Sequence, residues 1–361
     1  MSSTDTDDMV VLGTVEWAQF TLQPLVDGNI DFLAPPLVVR DINEAESISE
    51  FRFRKGHIQE LADKLWPKLG LLLEGTHEAI QVKNNYVLPY ETGLLLVLYR
   101  FARPRRLRPD MEKFFKMRKS KISAAIATFT EALYELALPY MSDPSIFRHR
   151  FRLYADLIFT KSGGAVQNVW GFIDGTLRKT CRPGRFQRLA YSGHKRCHGI
   201  KFQSVVTPDG LIAHLYGPIP GSRHDSYMLG KSGLIAQLRA LMPPGTELFS
   251  LYGDPAYPQS GVLFGGFRNP PAGSLQAAWN TRMSKVREVV EWLFKEIVVQ
   301  WSYLDFRASM KIFQSPIGRY FVIAAFLTNL RSCCYGSQTS NYFSCDEDSG
   351  KLSMAEYIDL I

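Results

Sequence analysis

Four acidic residues in the C-terminal half of the chain are the residues best placed to do chemistry: Asp174, Asp225, Asp254 and Glu291. Each stands at the end of an apolar segment or on the border of an amphipathic helix. Carboxylate oxygens are the ligands that hard cations such as Mg²⁺ prefer, and a pair of such ions can activate water and stabilise charge on phosphate oxygens. The four residues therefore predict a metal-dependent site that cuts phosphodiester bonds.

Asp174 shows the pattern most clearly. In the segment VWGFIDGT (169–176), consecutive hydrophobic and glycine positions predict a buried central strand, and a carboxylate followed by glycine stands where that strand ends. A charge at such a place must be solvated, paired or bound to a cation. The segment LFSLYGD (248–254) repeats this arrangement and ends in Asp254. Both aspartates are therefore predicted at strand ends, where such folds collect their ligands.

Glu291 lies on a predicted helix near 283–301. The apolar residues of that helix recur at helical spacing from Val286 to Trp301, and Glu291 stands roughly 110° from the centre of the stripe, on its border. A border carboxylate can lean into a cleft. It can equally join an exposed row of ion pairs with Arg287 and Lys295, so the helix alone leaves both roles open.

Asp225 also allows two interpretations. It precedes a predicted helix at 226–242, so its side chain could cap that helix. Capping does not exclude metal binding. We predict that Asp174, Asp254 and Glu291 hold the metals and act in catalysis, with Asp225 as a fourth ligand or a partner of the ligands. The expected cofactor is a pair of Mg²⁺ or Mn²⁺ ions.

The elements that must position these acids change in character along the chain. From about residue 50 to residue 138, apolar residues recur three and four apart, which predicts helices without strands. After residue 165 the predicted order is three strands, a helix, a strand, a loop and a helix. This order predicts an α/β ribonuclease H-like fold, a mixed sheet flanked by helices, preceded by an all-α domain. Acids at the strand ends and on the closing helix could converge in such a fold.

The formal net charge of +7 is concentrated in one segment. Between Arg100 and Lys121, ten Lys or Arg residues stand against Asp110 and Glu112, a local balance of +8, and the rest of the chain is nearly neutral. Such a cluster predicts a polyanionic partner, which is most simply DNA. The alternative is a solvated basic loop or a nuclear-import signal.

The same segment has the lengths of a helix-turn-helix, which we place at about 108–137. A short helix at 108–115 precedes a tight link and a longer helix from Ser120, with Ser120 or Ser123 as its cap. Short helix pairs also occur in bundles that touch no DNA, so this pattern supports the charge argument without replacing it. The predicted phosphate contacts are Arg105, Arg106, Arg108, Lys119 and Lys121.

The composition disfavours other classes of protein. The longest apolar stretches, at 92–102 and 319–330, are shorter than the roughly 20 residues of a membrane span. Five scattered cysteines without a CxxC pair argue against a disulfide framework or a zinc ribbon. His194 and His198 could share a zinc ion on a helix, whereas their segment alternates like a strand. The polar, acidic N-terminus lacks the order of a signal peptide and predicts a disordered leader at 1–15.

The acidic residues stand within motifs that resemble those of the PIF/Harbinger transposases and their derived nucleases, whose endonuclease domain belongs to the DDE superfamily. Four motifs carry the resemblance in the order of that family: FIDGT at 172–176, PGSRHDSYML at 220–229, YGDPAYP at 252–258 and WNTRMSKVREVVEWLF at 279–294. In the last of them, Asn280, Arg287 and Glu291 stand at the matching positions. The N-terminal helices, including residues 51–69, are similar to that family's helical domain.

The resemblance implies a Mg²⁺-dependent DNA endonuclease or transposase. Water would attack DNA at the ends of an element, and the freed 3′-hydroxyl would then attack target DNA. The resemblance also implies work in the nucleus and a Myb-like helper protein, and a homo-oligomer is a further candidate partner. One position departs from the family, because the lysine expected seven residues after the glutamate is replaced by Val298, and Lys295 is expected on another face of the helix.

The predicted organisation is a leader at 1–15, a helical domain at 16–150, an endonuclease domain at 160–335 and a C-terminal tail at 336–361. Two other functions stay open. A domesticated descendant could bind DNA for regulation without cutting it. A hydrolase that acts on sugars through a carboxylate pair would need neither the basic segment nor a metal.

Overall fold

The computed structural model describes residues 32–255, 257–346 and 348–360, so the predicted leader lies outside the described residues. The first part of the described chain is mainly helical, with α1 Glu44–Phe51, α2 Lys55–Leu69, α3 Tyr90–Ala102, α4 Glu112–Phe115, α5 Lys119–Ser142 and α6 Phe151–Lys161. Asn43 begins α1, because its side-chain oxygen accepts a hydrogen bond from Ala45 N at 2.9 Å.

The helices pack closely around α3. Its residues from Leu94 to Leu98 are all fully buried, and each buried leucine contributes about 1.5–3 kcal/mol. Gly93 allows this approach, because a Cβ atom at that position would lie only 2.1 Å from the ring of Phe129 on α5. The contact between α3 and α5 therefore depends on a residue without a side chain.

The two helices expected at 108–137 are present, with different ends. α4 ends at Lys116, whose left-handed conformation (φ 52°) turns the chain. α5 begins at Lys119, and Arg118 occupies the cap position without a side-chain hydrogen bond. The expected serine caps are wrong, since the Glu112 carboxylate accepts the hydrogen bond from Lys119 N at 2.7 Å. The DNA-binding role of this helix pair stays a prediction.

A small sheet interrupts the helices, although the sequence pattern indicated no strand there. Its strands are β1 Glu74–Thr76, β2 Ala79–Val82 and β3 Tyr86–Leu88. They pair antiparallel in chain order. Each strand has three or four residues, which is too short for alternation of apolar and polar positions to be recognised.

The second part of the described chain builds a mixed sheet. Its strands are β4 Val169–Lys179, β5 Tyr191–Ser192, β6 Cys197–Val206, β7 Ile212–Pro220, β8 Ser250–Gly253 and β9 Leu263–Gly265. The order across the sheet is β7-β6-β4-β8-β9, and the short β5 lies beside β6. β4 is antiparallel to β6 and parallel to β8. This mixed α/β architecture is consistent with the predicted ribonuclease H-like fold.

Helices flank the mixed sheet: α7 Gln187–Ala190, α8 Asp225–Ser232, α9 Leu234–Leu241, α10 Leu275–Arg287, α11 Val289–Gln300, α12 Ile317–Tyr335, α13 Gln338–Phe343 and α14 Met354–Ile358. The helix predicted at 226–242 is divided, because Gly233 takes a left-handed conformation (φ 70°) between α8 and α9. The helix predicted at 283–301 is the end of a longer stretch that breaks at Glu288. Among the described helices, none has the length and apolar composition to span a membrane.

One hydrophobic core joins the helical part to the sheet. Arg52 reinforces this connection, because its Nε donates to Gln300 O and its Nη2 donates to Ala102 O, both at 2.8 Å. The segment predicted as a tail contains α13 and α14. On α14, Tyr357 is fully buried and accepts a hydrogen bond from Asn329 Nδ2 of α12 at 2.8 Å.

His214 on β7 is a buried titratable group within this core. It is 2% exposed, pairs with Val205 on β6, and its Nδ1 has no hydrogen-bond partner among the described residues. Burial lowers the pKa of His214 to about 4. In the unfolded chain the pKa is about 6.5, so the unfolded chain takes up this proton at higher pH.

We expect the folded state to lose stability as the pH falls from about 6.5 to about 4, because protonation of His214 favours the unfolded chain. The loss is at most about 3.5 kcal/mol, at about 1.4 kcal/mol per unit of pKa. Urea unfolding of the wild type and of His214→Asn, from about pH 7 to about pH 4.5, measures it. An identical pH dependence in both proteins would contradict the assignment.

Candidate active site

The four acidic residues line one cleft beside the carboxyl end of β8, in the middle of the mixed sheet. Asp254 follows the end of β8 as predicted, whereas the predicted strand end at Asp174 is wrong, because pairing with β6 extends β4 to Lys179. Asp225 comes from the start of α8 and Glu291 from α11. We term this space, of about 780 Å³, the acidic cleft. Four separate elements therefore contribute carboxylates to one space.

The strand register explains why Asp174 and Asp254 are neighbours. β4 and β8 run parallel, and Ile173 pairs with Gly253. The next residue on each strand is an aspartate, and adjacent strands lie about 4.8 Å apart. The two carboxylates consequently emerge side by side.

Asp225 is the first residue of α8, and His224 occupies the cap position without a side-chain hydrogen bond. The capping interpretation of Asp225 is therefore wrong. Its Oδ1 accepts a hydrogen bond from Lys201 Nζ at 3.0 Å. A Cβ atom at Gly175 would lie 2.7 Å from the same Oδ1. The glycine after Asp174 is what allows the Asp225 carboxylate to come this close.

Glu291 lies on the border of α11, as the helical period predicted. The apolar stripe of α11 is buried, from Val289 to Ile297, whereas the Glu291 side chain is 62% exposed. Its Oε1 lies 3.8 Å from Arg287 Nη2. It also lines the acidic cleft. Glu291 therefore both pairs with Arg287 and lines the cleft, so the two roles that the helix left open are compatible.

Arg287 connects two of the acids. Its Nη1 donates to Asp174 Oδ2 at 2.9 Å, and its Nη2 faces Glu291. Burial raises the pKa of Asp174, the Arg287 guanidinium opposes that shift, and the charges of Asp225 and Asp254 add to it. The carboxylates of the cleft thus repel one another, and the positive charge of the Arg287 guanidinium partly offsets this repulsion.

The donor set of the acidic cleft fits a hard divalent cation. All four acids offer carboxylate oxygens, the ligand type that Mg²⁺ prefers. Three of the carboxylates influence the same buried side chain: burial raises the pKa of Tyr257, and the charges of Asp225, Asp174 and Asp254 add to that shift. Within the described residues, no three acidic, His or Cys side chains are close enough to enclose a cation as they stand. The side chains would therefore have to draw together around one.

Lys295 lines the acidic cleft, contrary to the expectation that it occupies another face of the helix. It stands four residues after Glu291, and residues at this spacing lie on the same side of a helix. Val298 is half-buried and lines the cleft as well. An ammonium group is therefore present on this wall, although not at the position of the family's lysine.

A second basic segment was not predicted from the sequence. From Arg178 to Lys201 the chain has eight Lys or Arg residues and no Asp or Glu. Four of them line the acidic cleft: Arg178, Lys179, Lys195 and Lys201. The signal was the local charge density, which is concealed when charge is summed over the rest of the chain.

Asn280 binds the loop that follows β9. Its Oδ1 accepts a hydrogen bond from Phe267 N, and its Nδ2 donates to Phe267 O, both at 2.9 Å. The motif position of Asn280 did not reveal this role. The bonds hold the loop against α10, and α11, the helix of Glu291, begins directly after the break at Glu288.

A second space, of about 840 Å³, collects basic residues of the N-terminal half; we term it the basic groove. Its basic lining consists of Lys83, Arg100, Arg105, Arg106, Arg108 and Lys119. Tyr303, Phe306 and Ser309 form another part of its wall. Leu304 and Asp305, from the same segment, line the acidic cleft. Residues 302–309, which we term the strap, therefore separate the groove from the cleft.

The predicted phosphate contacts differ in their availability. Three of the five are exposed: Arg106, Arg108 and Lys119. Arg105 turns inward, since its side chain is 13% exposed, forms an ion pair with Glu50 and lies over the ring of Tyr99. Lys121 is half-buried, and burial lowers its pKa. The exposed three are the better candidates for a polyanion.

We expect Gly175→Ala to weaken divalent-cation binding, because the new Cβ, 2.7 Å from Asp225 Oδ1, would displace that carboxylate. Titration with Mn²⁺ should show a loss of affinity of about ten-fold. Gly184→Ala is the matched control, since nothing lies within 4 Å of its added Cβ. Equal Mn²⁺ affinity in the two variants would remove Asp225 from the set of ligands.

Comparison with known proteins supports the same interpretation of the C-terminal half. No curated protein and no solved structure matches the chain. Residues 173–329 match a protein-family model, and this range contains all four acids and the second basic segment. The match covers less than half of the chain and leaves the first basic segment outside. The matching family is the DDE superfamily endonuclease, which suggests a nuclease or transposase function for these residues.

Proposed function

We propose that the protein is a divalent-metal-dependent DNA endonuclease of the PIF/Harbinger transposase type. The observation that carries the proposal is the acidic cleft, in which carboxylates from four elements meet on a wall that also bears six Lys or Arg residues. Carboxylates suit a hard cation, and basic side chains suit the phosphates of its substrate. The match of residues 173–329 to the DDE superfamily endonucleases supports the proposal.

The acids have separate roles in this proposal. Asp174, Asp254 and Glu291 would hold one or two Mg²⁺ or Mn²⁺ ions, with Asp225 as a further ligand or as a partner of Asp174. Such ions, when bound, supply a water of lowered pKa and neutralise charge on phosphate oxygens. The burial of Asp174 within β4 and its hydrogen bond from Arg287 keep its carboxylate in a fixed position. A positioned ligand of this kind needs little reorganisation when substrate binds.

Arg287 and Lys201 have a supporting role. Both bind carboxylates of the cleft, and both are also donors that suit phosphate oxygens. They keep the acids from repelling one another in the free protein. When DNA enters, the same two groups are within the cleft to contact its backbone.

The finer assignment to transposition follows the resemblance of the four motifs. In that assignment the freed 3′-hydroxyl attacks target DNA in a second step, the protein works in the nucleus, and a Myb-like helper and a second copy of the chain assist. Lys295 would supply the ammonium group that Val298 lacks. The basic groove would hold DNA beyond the cleft, with Arg106, Arg108 and Lys119 on its phosphates.

Replacing Asp174 tests the endonuclease. We expect purified protein to nick supercoiled plasmid in the presence of Mg²⁺, and Asp174→Asn to reduce the rate by about 100-fold or more, because a ligand is lost from a buried position. Asp156→Asn is the control, since Asp156 is 65% exposed on α6. Gel analysis of nicked and linear products gives the rates. Undiminished nicking by Asp174→Asn would defeat the proposal, and DNA binding without nicking would favour the regulatory alternative.

Replacing the exposed residues of the basic groove tests the DNA surface. We expect Arg106→Ala, Arg108→Ala and Lys119→Ala together to weaken duplex binding and to reduce the slope of log K against log salt by about 0.9 for each lost contact. Fluorescence anisotropy over a range of salt concentrations measures both. Arg40→Ala, at a position 86% exposed, is the control. An unchanged slope would place the bound DNA elsewhere.

A further inference from the structure

Two aromatic side chains are left open to solvent on neighbouring loops. Phe186 is 65% exposed and Phe313 is 75% exposed. Their ring centroids are 5.9 Å apart and the rings meet at 64°. Both residues have a positive φ, 56° and 70°, a conformation that bulky side chains rarely adopt. Neither ring packs in the hydrophobic core, and both residues have a backbone conformation that costs free energy.

The two loops that carry the aromatic pair are fastened to one another. Cys181 N donates to Met310 O at 2.9 Å, and Cys181 Sγ donates to Arg307 O at 2.7 Å. These bonds lie five residues before Phe186 and three to six residues before Phe313. The two loops are therefore hydrogen-bonded to one another close to the rings, and this connection positions both rings together.

The two connected loops adjoin the wall of the acidic cleft. The loop of Phe186 leaves the sheet after Lys179 and returns at β5, and both Lys179 and Ser192 of β5 line the cleft. The loop of Phe313 follows the strap, whose residues Leu304 and Asp305 line the cleft as well. A molecule that extended out of the cleft past these residues would meet the aromatic pair.

The charge around the pair is mostly positive. Arg182, Arg185 and Arg188 flank Phe186 and are all exposed, and Lys311 is exposed beside Phe313. The three arginines belong to the segment without Asp or Glu, and Lys311 belongs to the loop after the strap, whose Asp305 lines the acidic cleft. Alternating arginines and open aromatic rings are the composition of surfaces that bind single-stranded nucleic acid.

We propose that Phe186 and Phe313 form a stacking platform for an unpaired base of the DNA that flanks the cleavage site. The three arginines of the same loop would contact the phosphates on either side of that base. Duplex DNA keeps its base faces stacked, so the platform selects DNA that is frayed or single-stranded beside the cut. The inference rests on the proposed function, because it requires DNA in the acidic cleft. A second copy of this chain is a poorer occupant, since it would bring the same positive charge against the surface.

The test uses the full chain in EDTA, so that no probe is cut. One probe is a duplex with a single-stranded flank of about five nucleotides carrying 2-aminopurine, and the other is the blunt duplex. We expect Phe186→Ala/Phe313→Ala to lose affinity for the flanked probe by about ten-fold and to lose the fluorescence quenching that stacking causes. Affinity for the blunt duplex should not change. Phe186→Trp/Phe313→Trp should retain both signals.

Phe159→Ala on α6 is the matched control, because Phe159 is also exposed, to 40%, outside this surface. Equal losses for the two probes, or no loss for either, would overturn the stacking platform. A change in oligomeric state by sedimentation velocity, with binding unchanged, would overturn it in favour of a contact between copies. These outcomes leave the nicking result for Asp174→Asn untouched, so failure of the platform is distinguishable from failure of the endonuclease.

Discussion

The acidic cleft depends on holding like charges together between two central strands of the sheet. The register of β4 with β8 sets Ile173 opposite Gly253 and so brings the next two residues, both aspartates, side by side. Such an arrangement is unfavourable unless cations share the space. Arg287 and Lys201 provide that compensation within the protein. The surrounding sheet, the absence of a side chain at position 175 and the neighbouring helices all serve to keep this group of charges assembled.

The sequence predicted those parts of the site that have local causes. The strand before Asp174 was recognisable because its apolar residues are contiguous, and the border position of Glu291 followed from the helical period. The order of strands and helices was sufficient to indicate a ribonuclease H-like sheet. The motifs added the grouping of the acids, which periodicity by itself left open.

Contacts between distant residues left no local signal. Arg287 could be interpreted as a partner of Glu291 one turn away, whereas its hydrogen bond to Asp174 spans 113 positions. The approach of Asp225 to Gly175 is equally non-local. The strands β1 to β3 were missed because they are too short to show a period. The inward turn of Arg105 depends on Glu50, which no property of the basic segment reveals.

The strap has one side in the basic groove and the other in the acidic cleft. A DNA molecule that lay in both would have to cross a single short segment, whose position is fixed by the flanking helix and by the bonds that Cys181 makes to Arg307 in the strap and to Met310 directly after it. The distance between the phosphates that the basic groove binds and the phosphodiester bond that is cut would then be set by the protein. Under the proposed function, the strap would set the position of the cut by its distance from the bound phosphates, independently of the bases at the cut itself.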